Sequence, residues 1–307
     1  MFKKAVWLMA AFVAAALILA IPVWPGTVPA SLVPEGVRWV AHLDMEKFVA
    51  TKLYEYLEGD GRFEVKVRDL SRWFKIDPSK DITGLTVFGS GPGEEHTVVA
   101  VAGRFDKARL LTMIGLDEEH KEFPYGAYTL YSTDDDEFGA FVNDGLIVLS
   151  ESREAIEKVL DTAAGKVKDF AASELSVALK GVPSGAFLSG VVANLAGLGK
   201  EINQSKLVEK ASGLFFLAQE KQDVFQVRAQ VTADSPESAK DMADLAQGLI
   251  ALGRLSEGQG RAAGFASLID GLQVKLEGKI IRLEFDGTSR EIADLLSHRR
   301  GGHGFFD

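Results

Sequence analysis

Apolar positions follow two rhythms along this chain, and the rhythms divide it into strands and helices. "VRWVAHL" (37–43) and "AFLSGVV" (186–192) are short apolar runs bounded by Pro/Gly segments, the pattern of buried strands. Two further strand-like runs follow each, at 84–89 and 96–104, then at 213–219 and 224–232. Between strands the spacing turns helical: Phe63, Val67, Leu70 and Phe74 recur every three to four residues. Asp106 before "KARLLTMI" and Asp234 before "SPESAKDMADLAQGLIAL" are acidic helix starts. Asp234 lies three residues before Glu237, a capping-box spacing, and Pro236 falls in the tolerant first turn. Ala239, Met242, Ala243, Ala246, Leu249 and Ile250 then make one apolar stripe. "YGAYTLYS" and "EFGAFV" pair around Asp134-Asp135-Asp136, and "AFV" and "LIVLS" turn at Asn143-Asp144-Gly145. Ser152 and Ser289 open the closing helices.

These elements occur twice in the same order. "VPEGVRWVAHLD" (33–44) is echoed by "VPSGAFLSGVVA" (182–193), "GLTVFGS" (84–90) by "GLFFLAQ" (213–219), and "NDGLIVLSESREAIEKVL" (143–160) by "LEGKIIRLEFDGTSREIADLL" (276–296). The echoes are offset by 149, 129 and roughly 135 residues, which predicts two copies of one unit. The expected fold class is α+β, with two similar units, each a mostly antiparallel sheet with helices on one face. Residues 32–165 form the first α+β repeat, 166–180 a helical linker, 181–297 the second repeat and 298–307 a flexible tail. Val167, Phe170, Leu175 and Leu179 of the linker can face one core, so the halves are expected to pack together.

The first thirty residues follow neither rhythm. Lys3 and Lys4 precede an uncharged run from Ala5 to Trp24, and "PGTVPA" ends with Val28 and Ala30 at the −3 and −1 positions of a small-residue cleavage site. That is the layout of a secretory signal in residues 1–30. The run is also long enough to span a bilayer, so an uncleaved anchor with Lys3 and Lys4 on the cytoplasmic side is the alternative. Either way residues beyond 30 are periplasmic or secreted, and membrane contact is confined to 5–24 if the segment is kept.

Composition narrows the chemistry. The 307 residues are 47% hydrophobic and 25% charged, and the net charge of −10 disfavours nucleic acid and anionic lipid surfaces. There is no cysteine, which excludes disulfides, thiolate metal sites and a lipid-modified cysteine anchor.

Candidate sites are few. "GSGPGEEH" (89–96) has glycines at alternate positions, but a strand rather than a helix follows it. Glu94 and Glu95 would repel phosphate, and no Lys-Ser/Thr completes a phosphate loop, so it reads as a hairpin loop. No G-x-S-x-G occurs, and none of the five histidines stands at a metal-ligand spacing. His42 and Asp44 at the end of the first strand are the weak catalytic candidates, a His–Asp dyad set against a helix cap and an ordinary strand-end hydrogen bond. Asp134, Asp135, Asp136 and Glu137 are weak metal candidates, and "DEEH" (117–120) is a second acidic cluster; neither has the calcium-loop pattern. The tail "SHRRGGHGFFD" reads as a frayed end or a short docking motif. Trp39, Trp73, Phe74, Phe215 and Phe216 read as core. No cofactor is expected.

"VPEGVRWVAHLD", "IDPSKDITGLTVFGS", "AGRFD" and "GAFVNDGLIVLSES" resemble, in that order, a group of exported bacterial proteins with a duplicated α+β unit and no established activity. The resemblance covers most of 33–160 and the second half more loosely. It implies export and the duplicated fold and assigns no catalytic residue. Three classes of function follow: a non-enzymatic envelope protein binding a protein or polymer partner, a carrier or sensor of an apolar ligand on a sheet face, and a hydrolase using His42 and Asp44.

Overall fold

The computed structural model describes residues 30–59, 76–91, 93–134, 137–193, 208–255 and 271–298. Twelve strands form one continuous sheet: β1 (Trp39–Asp44), β2 (Ile82–Gly89), β3 (Thr97–Gly103), β4 (Lys121–Tyr125), β5 (Tyr128–Asp134), β6 (Glu137–Asn143), β7 (Leu146–Ser150), β8 (Ala186–Ala193), β9 (Ala211–Lys221), β10 (Val224–Ala233), β11 (Leu272–Glu277) and β12 (Ile280–Thr288). The order across the sheet is β11-β12-β10-β9-β8-β1-β2-β3-β7-β6-β5-β4, and every neighbouring pair is antiparallel. With the helices below, this is a mixed α+β fold.

The two halves of the chain meet at the β1–β8 pair, where Trp39 faces Val192 and Ala41 faces Gly190. Outward from that join the order runs β1-β2-β3-β7-β6 on one side and β8-β9-β10-β12-β11 on the other, with β5 and β4 added to the first. Gly190 is required there: a Cβ would stand 2.6 Å from the Phe216 ring and 2.8 Å from the Val40 carbonyl oxygen.

Eight helices are described: α1 (Met45–Val49), α2 (Lys52–Glu58), α3 (Pro78–Asp81), α4 (Lys107–Ile114), α5 (Arg153–Ala163), α6 (Glu174–Leu179), α7 (Pro236–Leu255) and α8 (Ser289–His298). Local capping chemistry sets most of their starts. Asp44, Thr51, Asp77, Asp106, Ser152 and Ser173 each accept a first-turn backbone N–H. Two starts differ from the sequence expectation by one residue. At α7 the Ser238 N–H donates to Ser235 Oγ, because Pro236 takes the first helical position. At α8 Thr288 and Glu291 form a reciprocal capping box, the Thr288 N–H donating to Glu291 Oε2 and the Glu291 N–H to Thr288 Oγ1.

In the first half, helices cover both faces of the sheet. Ile156, Val159 and Leu160 of α5 and Leu175 and Leu179 of α6 bury Val40, Phe88, Ala100, Val148, Ala140 and Leu130 on one face. Met45 and Phe48 of α1 close over Leu85, Val87 and Val101 on the other, and Leu110 of α4 over Phe141. The nearly unbroken apolar runs of β2 and β3 require cover on both sides, which is the reason for the second layer. In the second half, α7 packs Ala239 and Ala243 against Ile281 and Ala233, while α2 and α8 pack on Phe225 and Phe285. The reverse side of β10–β12 is polar, carrying Gln226, Arg228, Gln230, Arg282 and Glu284. Leu249 leaves the expected α7 stripe: it is 60% exposed, because at 100° per residue it falls on the flank of the surface centred on Ala239, Ala243 and Ile250.

Candidate functional site

The His42–Asp44 candidate lies at the middle of the sheet, beside the join between the halves. In register, His42 faces Thr86 of β2 and Ser189 of β8, and Asp44 faces Gly84. His42, Thr86 and Ser189 are buried, with exposures of 6%, 5% and 0%. His42 Nδ1 and Thr86 Oγ1 share a hydrogen bond of 2.9 Å. Burial holds the imidazole pKa down at about 4, against the charge of Asp44, which raises it, and with that of Lys47, which lowers it further. The ring is therefore neutral at ordinary pH.

Gly84 makes room for the ring. A Cβ at that position would lie 2.9 Å from His42 Cε1, closer than side-chain atoms pack. Asp44 caps α1: its Oδ1 accepts the Lys47 N–H at 3.0 Å, and its Oδ2 lies 2.8 Å from Lys47 Nζ. A general base must come within hydrogen-bond distance of a substrate proton. A 6% exposed imidazole below a packed surface does not offer that approach. Thr86, Gly84 and Ser189 became visible as its surroundings only through strand register.

The glycine stretch serves packing. Gly89 ends β2, a short 3-10 turn spans Glu94–His96, and β3 begins at Thr97, which makes a hairpin connection. A Cβ at Gly89 would sit 2.8 Å from the Trp39 ring, and one at Gly91 would sit 3.0 Å from the His96 ring. The Trp39 indole N–H donates to the Gly91 carbonyl oxygen at 3.0 Å. These glycines admit an indole and an imidazole, and Gly93 takes a φ of 103°.

Of the acidic candidates, Asp134 pairs with Glu137 across the β5–β6 hairpin, and Asp135 and Asp136 lie outside the described residues. Among the described residues no group of three or more His, Asp or Glu side chains is placed to hold a metal ion. Glu119 N–H and His120 Nδ1 both bond to Asp117, within the second acidic cluster. The 5–24 run, the 63–74 helical pattern with Trp73 and Phe74, and the 299–307 tail lie outside the described residues. Among those described, no helix is long and apolar enough to cross a membrane.

One polar group that sequence reasoning missed joins distant elements. Glu220 on β9 accepts the Lys52 and Leu53 N–H groups at 2.8 and 3.0 Å and the Ser289 hydroxyl at 2.5 Å. A carboxylate from the second half thus caps α2 of the first and ties it to α8.

Comparison with known proteins adds the fold. No protein-family description matches the chain, and no curated protein does. Crystal form III of TP0453, an outer-membrane-associated protein of Treponema, is similar in structure over 89% of this chain and 99% of its own, with a TM-score of 0.51 and 8% sequence identity. Crystal forms I and IV of the same protein give TM-scores of 0.48 and 0.49 at 9% identity, covering 90% and 89% of this chain and 99% and 97% of theirs. At this identity the likeness is one of fold.

Proposed function

We propose that this chain is an exported, non-enzymatic protein of the bacterial cell envelope that acts by binding a protein partner. The observation that carries this reading is the use of its catalytic candidates as structure. His42 is buried and neutral against Thr86, and the Asp44 carboxylate caps a helix and pairs with Lys47. The signal-like segment 1–30 supports export, and the fold shared with an envelope-associated protein is in keeping with that address. The polar reverse side of β10–β12 offers no greasy surface for an apolar ligand, so the carrier alternative draws no support from it.

The same proposal includes the duplicated unit, about 32–165 and 181–297. Strand order supports it, and so does register: Leu43 faces Leu85, and their counterparts in the sequence echoes, Val192 and Leu214, face each other. Ala41 and Gly190, counterparts at the offset of 149, are each other's partners, as a local twofold at the β1–β8 join requires.

Native mass spectrometry of the endogenous protein, gently extracted from the envelope, tests the function. The expected result is a chain beginning after Ala30 that carries a second polypeptide. A bare chain with a hydrolytic activity that His42→Ala abolishes, while leaving the fold intact, would overturn it.

A further inference from the structure

The chain enters its core almost at once after the expected cleavage site. Ala30–Leu32 is wound into a 3-10 turn, with Ser31 exposed. Leu32 and Val33, just past the Ala30–Ser31 bond, are 2% and 0% exposed. They join Ile156, Val159 and Leu160 of α5 and Phe170 in one apolar cluster. Backbone bonds fasten the segment on both sides of Pro34. The Phe170 N–H donates to the Val33 carbonyl oxygen at 2.9 Å, and the Glu35 N–H to that of Lys168 at 2.8 Å. Pro34 and Asp169 are thereby an antiparallel bridge of the non-hydrogen-bonded kind. Leu32–Glu35 is a closed strap. Opening it exposes two buried aliphatic side chains, so its open population is small.

We propose that this strap makes cleavage after Ala30 conditional on folding. The Ala30–Ser31 bond is cut only while the strap is open, so processing and folding compete, and a chain that folds first retains residues 1–30. The step is hydrolysis of one peptide bond by a membrane-bound signal peptidase. Water supplies the hydroxyl of the new Ala30 carboxyl group and a proton for the new Ser31 amine. A peptidase needs the chain on both sides of the bond accessible. Here the residues on the carboxyl side are wound and buried. Cutting a folded chain therefore goes through the opened state, at a rate that follows the small population of that state. Resting on the reading of 1–30 as a signal segment, this competition gives one sequence two fates, a cleaved form and an anchored one.

The test uses the full chain in detergent micelles with purified signal peptidase. Peptidase present while the chain is diluted out of urea should yield product beginning at Ser31. Peptidase added after refolding is complete by circular dichroism should yield at least about tenfold less in the same time. Phe170→Ala loosens the strap without touching the residues around the bond, and should raise cleavage of the refolded chain at least about tenfold. Pro34→Cys with Asp169→Cys should do the reverse, and it keeps the test intact if Phe170→Ala does not fold. A non-hydrogen-bonded pair suits a disulfide, and these would be the only thiols in the chain. The oxidised pair should resist cleavage until it is reduced. Equal cleavage before and after refolding, or of the oxidised and reduced pair, would overturn the proposal and leave the signal reading standing. No cleavage in either order, with the peptidase active on a control substrate, would overturn both.

Discussion

His42 is where a single residue has the largest expected consequence. Its folded pKa of about 4 lies below the ordinary value of 6.5. The unfolded chain therefore takes up a proton at this site before the folded chain does. Stability from the site is complete above about pH 6.5 and declines as pH falls toward 4, below which it changes no further. The shift corresponds to on the order of 3 kcal/mol. Urea unfolding at pH 7 and pH 4.5 should show this loss in the parent chain. His42→Gln should be less stable at pH 7 and show a correspondingly smaller fall with acid; an identical fall in both would exclude His42 as its source. Gly84→Ala should cost about 1–3 kcal/mol at neutral pH, because its methyl group would enter the space held by the imidazole. The sequence displayed His42 and Asp44 as a pair two residues apart, but not their burial. That depends on Thr86 and Gly84, some forty residues away, and only register brings them alongside.

At the level of elements, the geometry of the turns was less legible than their places. The hairpin turn expected at Asn143-Asp144-Gly145 connects β6 to β7, yet neither Asp144 nor Gly145 has positive φ. Gly145 is needed instead because a Cβ would come within 3.0 Å of the Gly103 carbonyl oxygen. The left-handed pair falls where no glycine advertises it, at Gln222 and Asp223, with φ of 51° and 68° in the two-residue connection of β9 to β10. Hairpin twist favours that geometry, while side chains other than Asn, Asp and Gly resist it. Replacing the pair with Asn-Gly (Gln222→Asn with Asp223→Gly) should therefore raise stability by about 0.5–1 kcal/mol. An upward shift in the thermal midpoint would register it, and no shift would mean that the hairpin absorbs the strain elsewhere. The expected strands at 37–43, 84–89, 96–104, 186–192, 213–219 and 224–232 are present, and Asp106 and Ser152 cap helices as expected, since apolar period and capping residues are local. β4 and α3 carry no such apolar rhythm, and the 63–74 pattern lies outside the described residues. Leu249 was misplaced because a six-residue apolar set on α7 is wider than the surface the sheet can cover.

For the whole molecule, the sequence echoes indicated two halves that pack together, but not that they share one sheet. The shared sheet arises because β1 and β8, the first strand of each half, pair with each other. Interlocking goes further on the face that carries α2 and α8. Leu53 and Leu57 of α2 pack in one cluster with Ala293 of α8, and the Glu220 carboxylate receives the N-terminal amides of α2 and the Ser289 hydroxyl of α8. Thr51 satisfies the Tyr54 amide, so Glu220 completes the capping of the first turn. Local sequence rules place capping groups within a few residues of a helix start, which is why a cap 168 residues away was invisible to them. Glu220→Ala would leave two backbone donors and a fully buried serine without this acceptor, a loss of about 1–3 kcal/mol. The effect should reach both halves. Hydrogen exchange should show the Lys52 and Leu53 amides losing protection together with the first turn of α8, while the core of α5, packed on the opposite face under Val148 and Leu130, keeps its own. Unfolding of the parent chain should follow a single transition, because neither half completes its sheet or its helix packing without the other. If Glu220→Ala instead separated the unfolding curve into two steps, this carboxylate would be the main tie between the halves; if α8 kept full protection, the tie would rest on the apolar α2–α8 contact alone.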